Sequence, residues 1–557
     1  MKPVIIIPTY ACGKPRRTDT GVIDTYDHMT PITNQGELVR CLTSMRCMEE
    51  KAPVVILVVA EKGVEEEALR KIRFEAAHYP ELNITVVGAP EEEAMHARMA
   101  QMGIGDYAHG LSLTGYSAVK NLGLAYAAVM GYTEAIFIDD DEVIEDPQFL
   151  EKATYGLGML TQKEVPILIK SGYFIDRKGS YHAPDKTEWY NRFWRQHQGF
   201  NAWIDQAMSG SRLSSSNLAC GGCLALHREA FRRVSFDPWI SRGEDLDFLL
   251  NVRMFGSEVW FDNKWVIKHQ PPATSKVESR RFIQDIYRWL YEIHKLEFSA
   301  TQIDLLQIQP ESLYPYPGPF LESSMNFNIR MTALLRSIGR AGQRKGYFRA
   351  ATRARKDALV YAEEHCNKYF AFQRQWPEVM SLLENDIALR GIFENAIVRP
   401  LSKEELAAAT PPEFERPRAR RSERERLDVE QRPARERSEA EQRVEHSEVP
   451  VRSDEARPAR EGRPVRVVHD GVPQDFIDAP AQAFEAEAGF ESAPVAAMDA
   501  PVEGAAPFVE PRPERAPVPE EGVRRRHSER AKSPFEDVLK AYEGRTGADR
   551  GTSGVDD

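Results

Sequence analysis

Asp139, Asp140 and Asp141 stand in a row, with Glu142 next, directly after the apolar run Glu134-Ala-Ile-Phe-Ile138. Adjacent carboxylates repel, so a fold that gathers them at a strand end usually supplies a cation. A hard divalent ion, Mn2+ or Mg2+, takes carboxylate and phosphate oxygens together and bridges one or two side chains to a diphosphate. Its chemistry there is that of a Lewis acid, neutralising charge on a departing phosphate. The same residues also suit a solvated acidic turn ahead of the helical stretch 146–154, with Asp146 as its N-cap. The aspartates alone leave the two readings even, and the surrounding elements have to decide.

Those elements alternate. Residues 3–10 (PVIIIPTY) are a short β-rich run ending at a proline-containing turn, and residues 36–48 have helical spacing. Residues 52–61 (APVVILVVAE), 83–90 (NITVVGAP) and 134–143 (EAIFIDDDEV) are further strands, separated by helices over 64–79 and 117–131. Strands this apolar predict a mostly parallel sheet covered on both faces, a doubly wound α/β fold. Ligands in such sheets sit at the carboxyl ends of the strands, which directs attention to Pro8–Tyr10, Ala60–Lys62 and Asp139–Glu142.

Composition limits the rest. The chain has 557 residues and a formal charge of -12. Residues 401–557 hold 26 Lys+Arg against 35 Asp+Glu, 17 of the 36 prolines, and no Trp or Cys. Most of the negative charge therefore belongs to that tail, and residues 1–400 are nearly neutral. An Arg/Glu polyampholyte followed by an Ala/Pro/Glu-rich stretch cannot bury enough apolar surface to offset ordering entropy, so the tail is expected to be intrinsically disordered, with a protein partner as its role. No apolar run reaches the ~20 residues of a membrane span. The first apolar run is too short for a signal peptide, and six cysteines in this length make no disulfide framework, so the expected location is cytoplasmic. Residues 273–400 are charged and helix-periodic, a helical extension to a domain over 1–272. In it Phe282, Ile283, Ile286, Leu290 and Ile293 share one helical face, and the Tyr314–Pro319 stretch reads as a linker between helices.

Taken in order, six motifs resemble glycosyltransferases of the GT-A fold, most closely the large family 2 group. They are Ile7-Pro8-Thr9-Tyr10; Gly115 to Gly123 with Lys120-Asn121; Asp139-Asp140-Asp141; Cys220-Gly-Gly-Cys223 before a basic helix; Gly243-Glu244-Asp245 to Gly256; and Val266-Ile-Lys-His269. The resemblance implies a transferase moving a sugar from a nucleotide-diphosphate donor to an acceptor hydroxyl, on a glycan, a lipid-linked acceptor or a small molecule. It implies that Pro8, Thr9 and Tyr10 line the nucleoside pocket with Glu61 near the base, and that Lys120 or Asn121 approaches the diphosphate. Asp139 would meet the ribose or support the motif beside Asp140. Asp141 would ligate the metal, with His269 as a further metal or diphosphate ligand. Asp245 would be the general base, with Glu244 orienting the acceptor. Two features depart from the family pattern. An insert over residues 11–36 carries Arg16, Arg17, Asp19, Asp24, Tyr26, Asp27 and His28, and Glu61 stands where relatives more often have Asp then Ser or Thr.

Other features receive plainer readings. Cys220-Gly-Gly-Cys223 lacks a second CxxC and is read as close packing, not redox chemistry. Trp189, Trp194 and Trp203 crowd the approach to that loop, where one of them would suit a sugar ring and burial is the commoner use. Residues 323–356 hold nine basic and no acidic residues. That window suits a solvated helix face or a weak membrane-surface contact, at the inner membrane, rather than specific nucleic-acid recognition. A nucleotidyltransferase of related fold, or a non-catalytic scaffold with a degenerate transferase domain, are the alternatives.

Overall fold

The computed structural model describes residues 1–13, 26, 29–272, 278–384 and 386–401. The chain divides into Met1–Ser447 and Glu448–Asp557, and the second unit, like the tail beyond Leu401, lies outside the described residues. Among the described residues ten strands form one sheet: β1 (Pro3–Cys12), β2 (Thr30–Pro31), β3 (Val54–Ala60), β4 (Ile84–Val87), β5 (Glu134–Phe137), β6 (Glu142–Val143), β7 (Ile169–Ile175), β8 (Leu213–Ser215), β9 (Leu224–His227) and β10 (Val259–His269). Their order is β4-β3-β1-β5-β9-β7-β10-β6, with β2 on β1 and β8 on β10. The pairs β4/β3, β3/β1, β1/β5 and β7/β10 are parallel, and β9 runs antiparallel to both its neighbours. This is the mostly parallel α/β sheet that the apolar runs predict.

Alternation in β1 explains why it reads as a continuous apolar run. Val4 and Ile6 enter one core with Val55, Leu57, Met95, Val119 and Leu122, whereas Ile5 and Ile7 enter another with Val54, Ile56, Leu42, Leu69 and Ile72. Both faces are thus covered by helices, which is what a buried parallel strand requires. One boundary differs from the sequence reading. Pro8 does not end the strand, since β1 runs on to Cys12 with Pro8 opposite Leu57. The Ile6 carbonyl accepts from the Ile138 N–H, so Pro8, two residues on, faces the β5 side beyond the last β1/β5 pair, Ile6 with Phe137. Its missing N–H removes no ladder bond there.

The helices after residue 278 share the core of the sheet. The Glu278–Ser299 helix buries Phe282, Ile283, Ile286 and Leu290 as the spacing predicts, with Ile293 half-buried. The stretch read as a linker is packed at Tyr316, which is buried between the buried flanking residues Leu313 and Phe320 and meets Trp289, while Tyr314 stays exposed. The Arg355–Glu384 helix lies along the Glu278–Ser299 helix and also on the Tyr116–Val129 helix.

The joint between these helices and the rest is ionic. Lys295 is fully buried, with its Nζ 2.6 Å from Asp237 and 2.7 Å from Asp247. Tyr291 donates to Asp237 at 2.8 Å, and Asn251 donates to Asp247 at 2.9 Å. Asp247 lies on the Glu244–Met254 helix, so one ammonium locks that helix to the C-terminal layer. Removing one partner of a buried ion group leaves charge uncompensated, which costs about 3–5 kcal/mol. Lys295→Met is therefore expected to lower the free energy of unfolding in urea by that amount. An unchanged value would show that the ammonium does not hold the layers together.

Candidate functional site

Strand direction alone brings the motifs to one edge. β5 runs out at Phe137 and delivers Asp139–Asp141; β9 is antiparallel to it, so the loop entering β9, Cys220–Cys223, lies at the same edge. β10, parallel to β7, ends there at His269. β6 then pairs with β10 so that Glu142 stands opposite His269, and Gln270 N–H donates to the Asp141 carbonyl at 3.0 Å. The Glu244–Met254 helix points its N-terminus at the cluster from Gly243, whose φ of 71° is the left-handed conformation that glycine adopts without strain.

The side chains converge closely. His269 Nε2 lies 3.3 Å from Asp141 Oδ2, and Asp141 is buried. The Thr9 hydroxyl donates to Asp140 Oδ2 at 2.7 Å, tying β1 to the acidic turn. Asp139 N–H donates to Glu142 Oε2 at 3.0 Å. Lys120, from the Tyr116–Val129 helix, is buried with its Nζ 2.9 Å from Glu244 and 3.3 Å from the Gly221 carbonyl. Glu142 and Lys120 close on the two glycines: a Cβ on Gly222 would meet the Glu142 carboxylate and one on Gly221 would meet Lys120 Nζ at 2.8 Å, so a side chain at either place would push these groups aside. Cys220 and Cys223 are free and buried, as the packing reading expects.

Electrostatics follow from burial with few cations. Burial lifts Asp139 to about 6, with Lys120 opposing and Asp141 and Glu244 adding to the rise. Burial likewise lifts Asp140 to about 8 although Thr9 donates to it, and it raises Glu142 well above the carboxylate range. Asp245 is raised by burial and by Glu244 beside it. Glu244 is the exception: burial is outweighed by Lys120, and its carboxyl is held low. Burial works against the His269 imidazolium, but the bond to Asp141 prevails and raises its pKa.

An edge this acidic suits a divalent cation. Two ligand atoms adjacent on an ion at ~2.1 Å lie about 3 Å apart, close to the Asp141–His269 separation. Among the described residues no three His, Cys, Asp or Glu side chains form an all-protein cage. An ion that keeps phosphate oxygens in its shell needs only one or two protein ligands, so the residues present fit that kind of site.

Tyr10 stands near the cluster in an aromatic trio, with ring centroids 4.6 Å from Tyr26 and 5.6 Å from Tyr116. The Gly115 N–H donates to the Tyr26 hydroxyl at 2.6 Å. Other expected residues are occupied elsewhere. Asn121 is fully buried, donating to the Gly110 and Phe236 carbonyls and accepting from Phe236 N–H. Glu61 accepts from Gly13 N–H at 3.1 Å, fixing the end of β1, and Pro8 is buried within that strand. Trp194 and Trp203 are core residues, and only Trp189 is exposed. Of the insert, Arg16, Arg17, Asp19, Asp24, Asp27 and His28 lie outside the described residues.

Sequence reasoning missed Arg288 and Glu292. A Cβ on Gly243 would lie 2.1 Å from the Arg288 Cζ, so the guanidinium sits against the turn that presents Glu244 and Asp245. Arg288 Nε is 3.2 Å from Glu292 Oε1. The available signal was spacing: 288, 292 and 295 recur on the buried side of the helix, where a charge needs a partner.

No protein-family model matches the chain, and no curated protein matches it. Among solved structures it is similar to the mannosyltransferase PcManGT from Pyrobaculum calidifontis in complex with GDP-Man and Mn2+, at 14% identity and a TM-score of 0.34, covering 70% of this chain and 86% of that one. It is also similar to GalNAc-T7 with UDP, GalNAc and Mn2+, at 11% identity and a TM-score of 0.28, covering 53% of this chain and 51% of that one. A mycobacterial protein follows at 11% identity and a TM-score of 0.25, covering 52% and 74% respectively. Likenesses this loose carry no argument, and the functional reading rests on the geometry above.

Glu292 provides a test of the ionic layer behind the site. Burial raises its carboxyl from 4.5 to about 8, with Arg288 opposing and Asp247 adding. The folded chain then keeps a proton that the unfolded chain releases, so between pH 4.5 and about 8 stability falls as pH rises. Glu292→Gln cannot titrate. The stability of the wild type relative to this variant should decline across that window, as read from urea midpoints at each pH. Parallel pH profiles would show that the buried carboxyl is not shifted.

Proposed function

We propose that the chain is a metal-dependent glycosyltransferase that moves a sugar from a nucleotide-diphosphate donor to an acceptor hydroxyl. The observation that carries this reading is the assembly at one sheet edge of the Asp141–His269 pair, the Lys120–Glu244 pair and Asp245. A cofactor pair and a base have to share one edge for such a transfer, and here three separate segments supply them. The family resemblance in the motifs supports the same reading.

In this proposal Asp141 and His269 hold a Mn2+ or Mg2+ ion, whose chemistry when bound is to offset negative charge on the donor diphosphate. Tyr10, with Tyr26 and Tyr116, offers aromatic surface to the nucleoside, while Thr9 fixes the turn through Asp140. Asp139 faces the ribose. Lys120 sets the charge of Glu244, which stays ionised to orient the acceptor. Asp245 receives the acceptor proton. Its Oδ1 is held by the Leu246 N–H at 2.7 Å, and its raised pKa makes it a better proton acceptor than an exposed aspartate. Gly221 and Gly222 let Lys120 and Glu142 close against the loop backbone beside Asp245, which holds the charged groups of the site together. Residues 1–272 would be the catalytic domain and 273–400 its helical support.

The test is thermal-shift measurement with nucleotide-diphosphate sugars, with and without Mn2+, followed by a transfer assay with the sugar that binds. A ligand at 100 times its dissociation constant adds about 2.7 kcal/mol to stability. Asp141→Asn should abolish the ion-dependent part of the shift. Asp245→Asn should keep the shift and lose turnover by about 10²–10⁴-fold, the usual contribution of a general base. A wild type with no ion-dependent donor binding would refute the reading.

A further inference from the structure

The Met325–Gly339 helix buries Met325, Ile329, Thr332, Ala333, Arg336 and Ser337. On its other side Phe327, Met331, Leu334 and Ile338 recur at i, i+4, i+7 and i+11, a stripe of the kind a helix normally covers. Here it is open among the described residues: Phe327 is 59% and Ile338 68% exposed, and the two between them are half-buried. The next helix, Arg344–Arg349, packs against this one and turns Phe348 outward, 58% exposed. Trp189, 57% exposed, adjoins the far end, where Tyr190 closes on Gly339.

The two helices that form this apolar face carry charge of one sign, and the acids that adjoin them, Glu278 and Asp357, are paired with Arg340 and Arg353. Of the nine basic residues in 323–356, Arg336 bonds Asn191, Arg355 bonds Asn326, Arg340 pairs with Glu278 and Arg353 pairs with Asp357. Arg330, Arg344, Lys345 and Arg349 are exposed around the stripe, the ninth, Lys356, is exposed on the following helix, and no acidic residue lies in the window. A second copy of the same face would bring like charges together. Nucleic acid would take the charges, and Phe327, Phe348 and Trp189 have rings, but the aliphatic side chains of Met331, Leu334 and Ile338 in the middle of the stripe would stay uncovered against a polar sugar-phosphate backbone. The chain's own tail mixes Arg with Glu along most of its length, so it matches neither the single sign nor the stripe. An anionic bilayer surface matches both, because apolar side chains enter the headgroup boundary while Arg and Lys meet lipid phosphates.

We infer that the face formed by the Met325–Gly339 and Arg344–Arg349 helices seats the protein on an anionic lipid surface. Phe327, Ile338 and Phe348 enter the headgroup layer, and the four exposed cations contact phosphates. No helix among the described residues is long and apolar enough to cross a membrane, so the contact is one of lying on the surface. This inference does not depend on the reading of the carboxylate site.

Vesicle flotation of the full-length protein tests it, comparing pure phosphatidylcholine with an equimolar mixture of phosphatidylcholine and phosphatidylglycerol. Binding is expected to the mixed vesicles alone and to weaken as salt is raised. Replacing Arg344 and Lys345 by Ser removes two charges and should lower partitioning about thirtyfold, at about 1 kcal/mol for each basic residue. The triple change Phe327→Ser, Ile338→Ser and Phe348→Ser keeps every charge and should lower it at least about tenfold by loss of apolar burial. Circular dichroism melts would check that each variant stays folded. Absence of flotation at low salt would overturn the inference, as would equal binding to uncharged vesicles or unchanged binding of the triple variant. A dimer in sedimentation velocity that the triple variant dissolves would overturn it too, in favour of a second copy. A nucleic acid that displaces the protein from vesicles while binding the triple variant equally well would assign the cations to nucleic acid instead.

Discussion

Five carboxylates crowd one sheet edge, Asp141 and Glu142 buried and Asp139, Asp140 and Asp245 half-buried, with Lys120, His269 and Arg288 as basic groups beside them. Burying charge is costly unless it is paired, so the surrounding structure is arranged to limit that cost. Thr9 donates to Asp140, the Asp139 N–H donates to Glu142, and Lys120 sits between Glu244 and the Gly221 carbonyl. Two of these three contacts, those of Thr9 and Lys120, cross between segments distant in sequence. These contacts therefore fix β1, β5, the glycine loop and the helix at Glu244 relative to one another.

The C-terminal helices extend this logic one layer outward. Lys295 bonds both Asp237 and Asp247, and Arg288 covers Gly243 while leaning on Glu292. Asp245 lies two residues from Asp247, so its position depends on helices that contribute no side chain to the Asp141–His269 pair. This is why the helical segment shares the core of the sheet instead of hanging from it, and why Tyr316, in what reads as a linker, packs against Trp289 together with Phe320 just beyond it.

Legibility in the sequence follows the range of the interactions involved. The strands carrying Ile6, Val55, Leu57 and Phe137 are readable because burial on both faces writes a local apolar run. The acidic turn is readable because its members are adjacent. Which of Lys120 and Asn121 stands at the acidic edge is not readable from their adjacency; one residue along a helix turns a side chain by about 100°, so Lys120 meets Glu244 while Asn121 clamps Phe236. Arg288 escapes notice because its partner surface, the turn at Gly243, lies on another element.

What the sequence determined by itself was the class of sheet, the acidic strand end and the amphipathic helix from residue 278, since these depend on local periodicity and composition. Which carboxylates share a space was decided only by the tertiary structure. Asp141 meets His269 because β6 and β10 pair in register, and Lys120 meets Glu244 because a helix before β5 and a helix after β9 end at the same edge. Burial then separated groups of identical chemistry, holding Glu244 low beside an ammonium and raising Asp245 next to it. A pKa depends on what lies within a few ångströms and on access to water, and neither quantity is written in the order of residues.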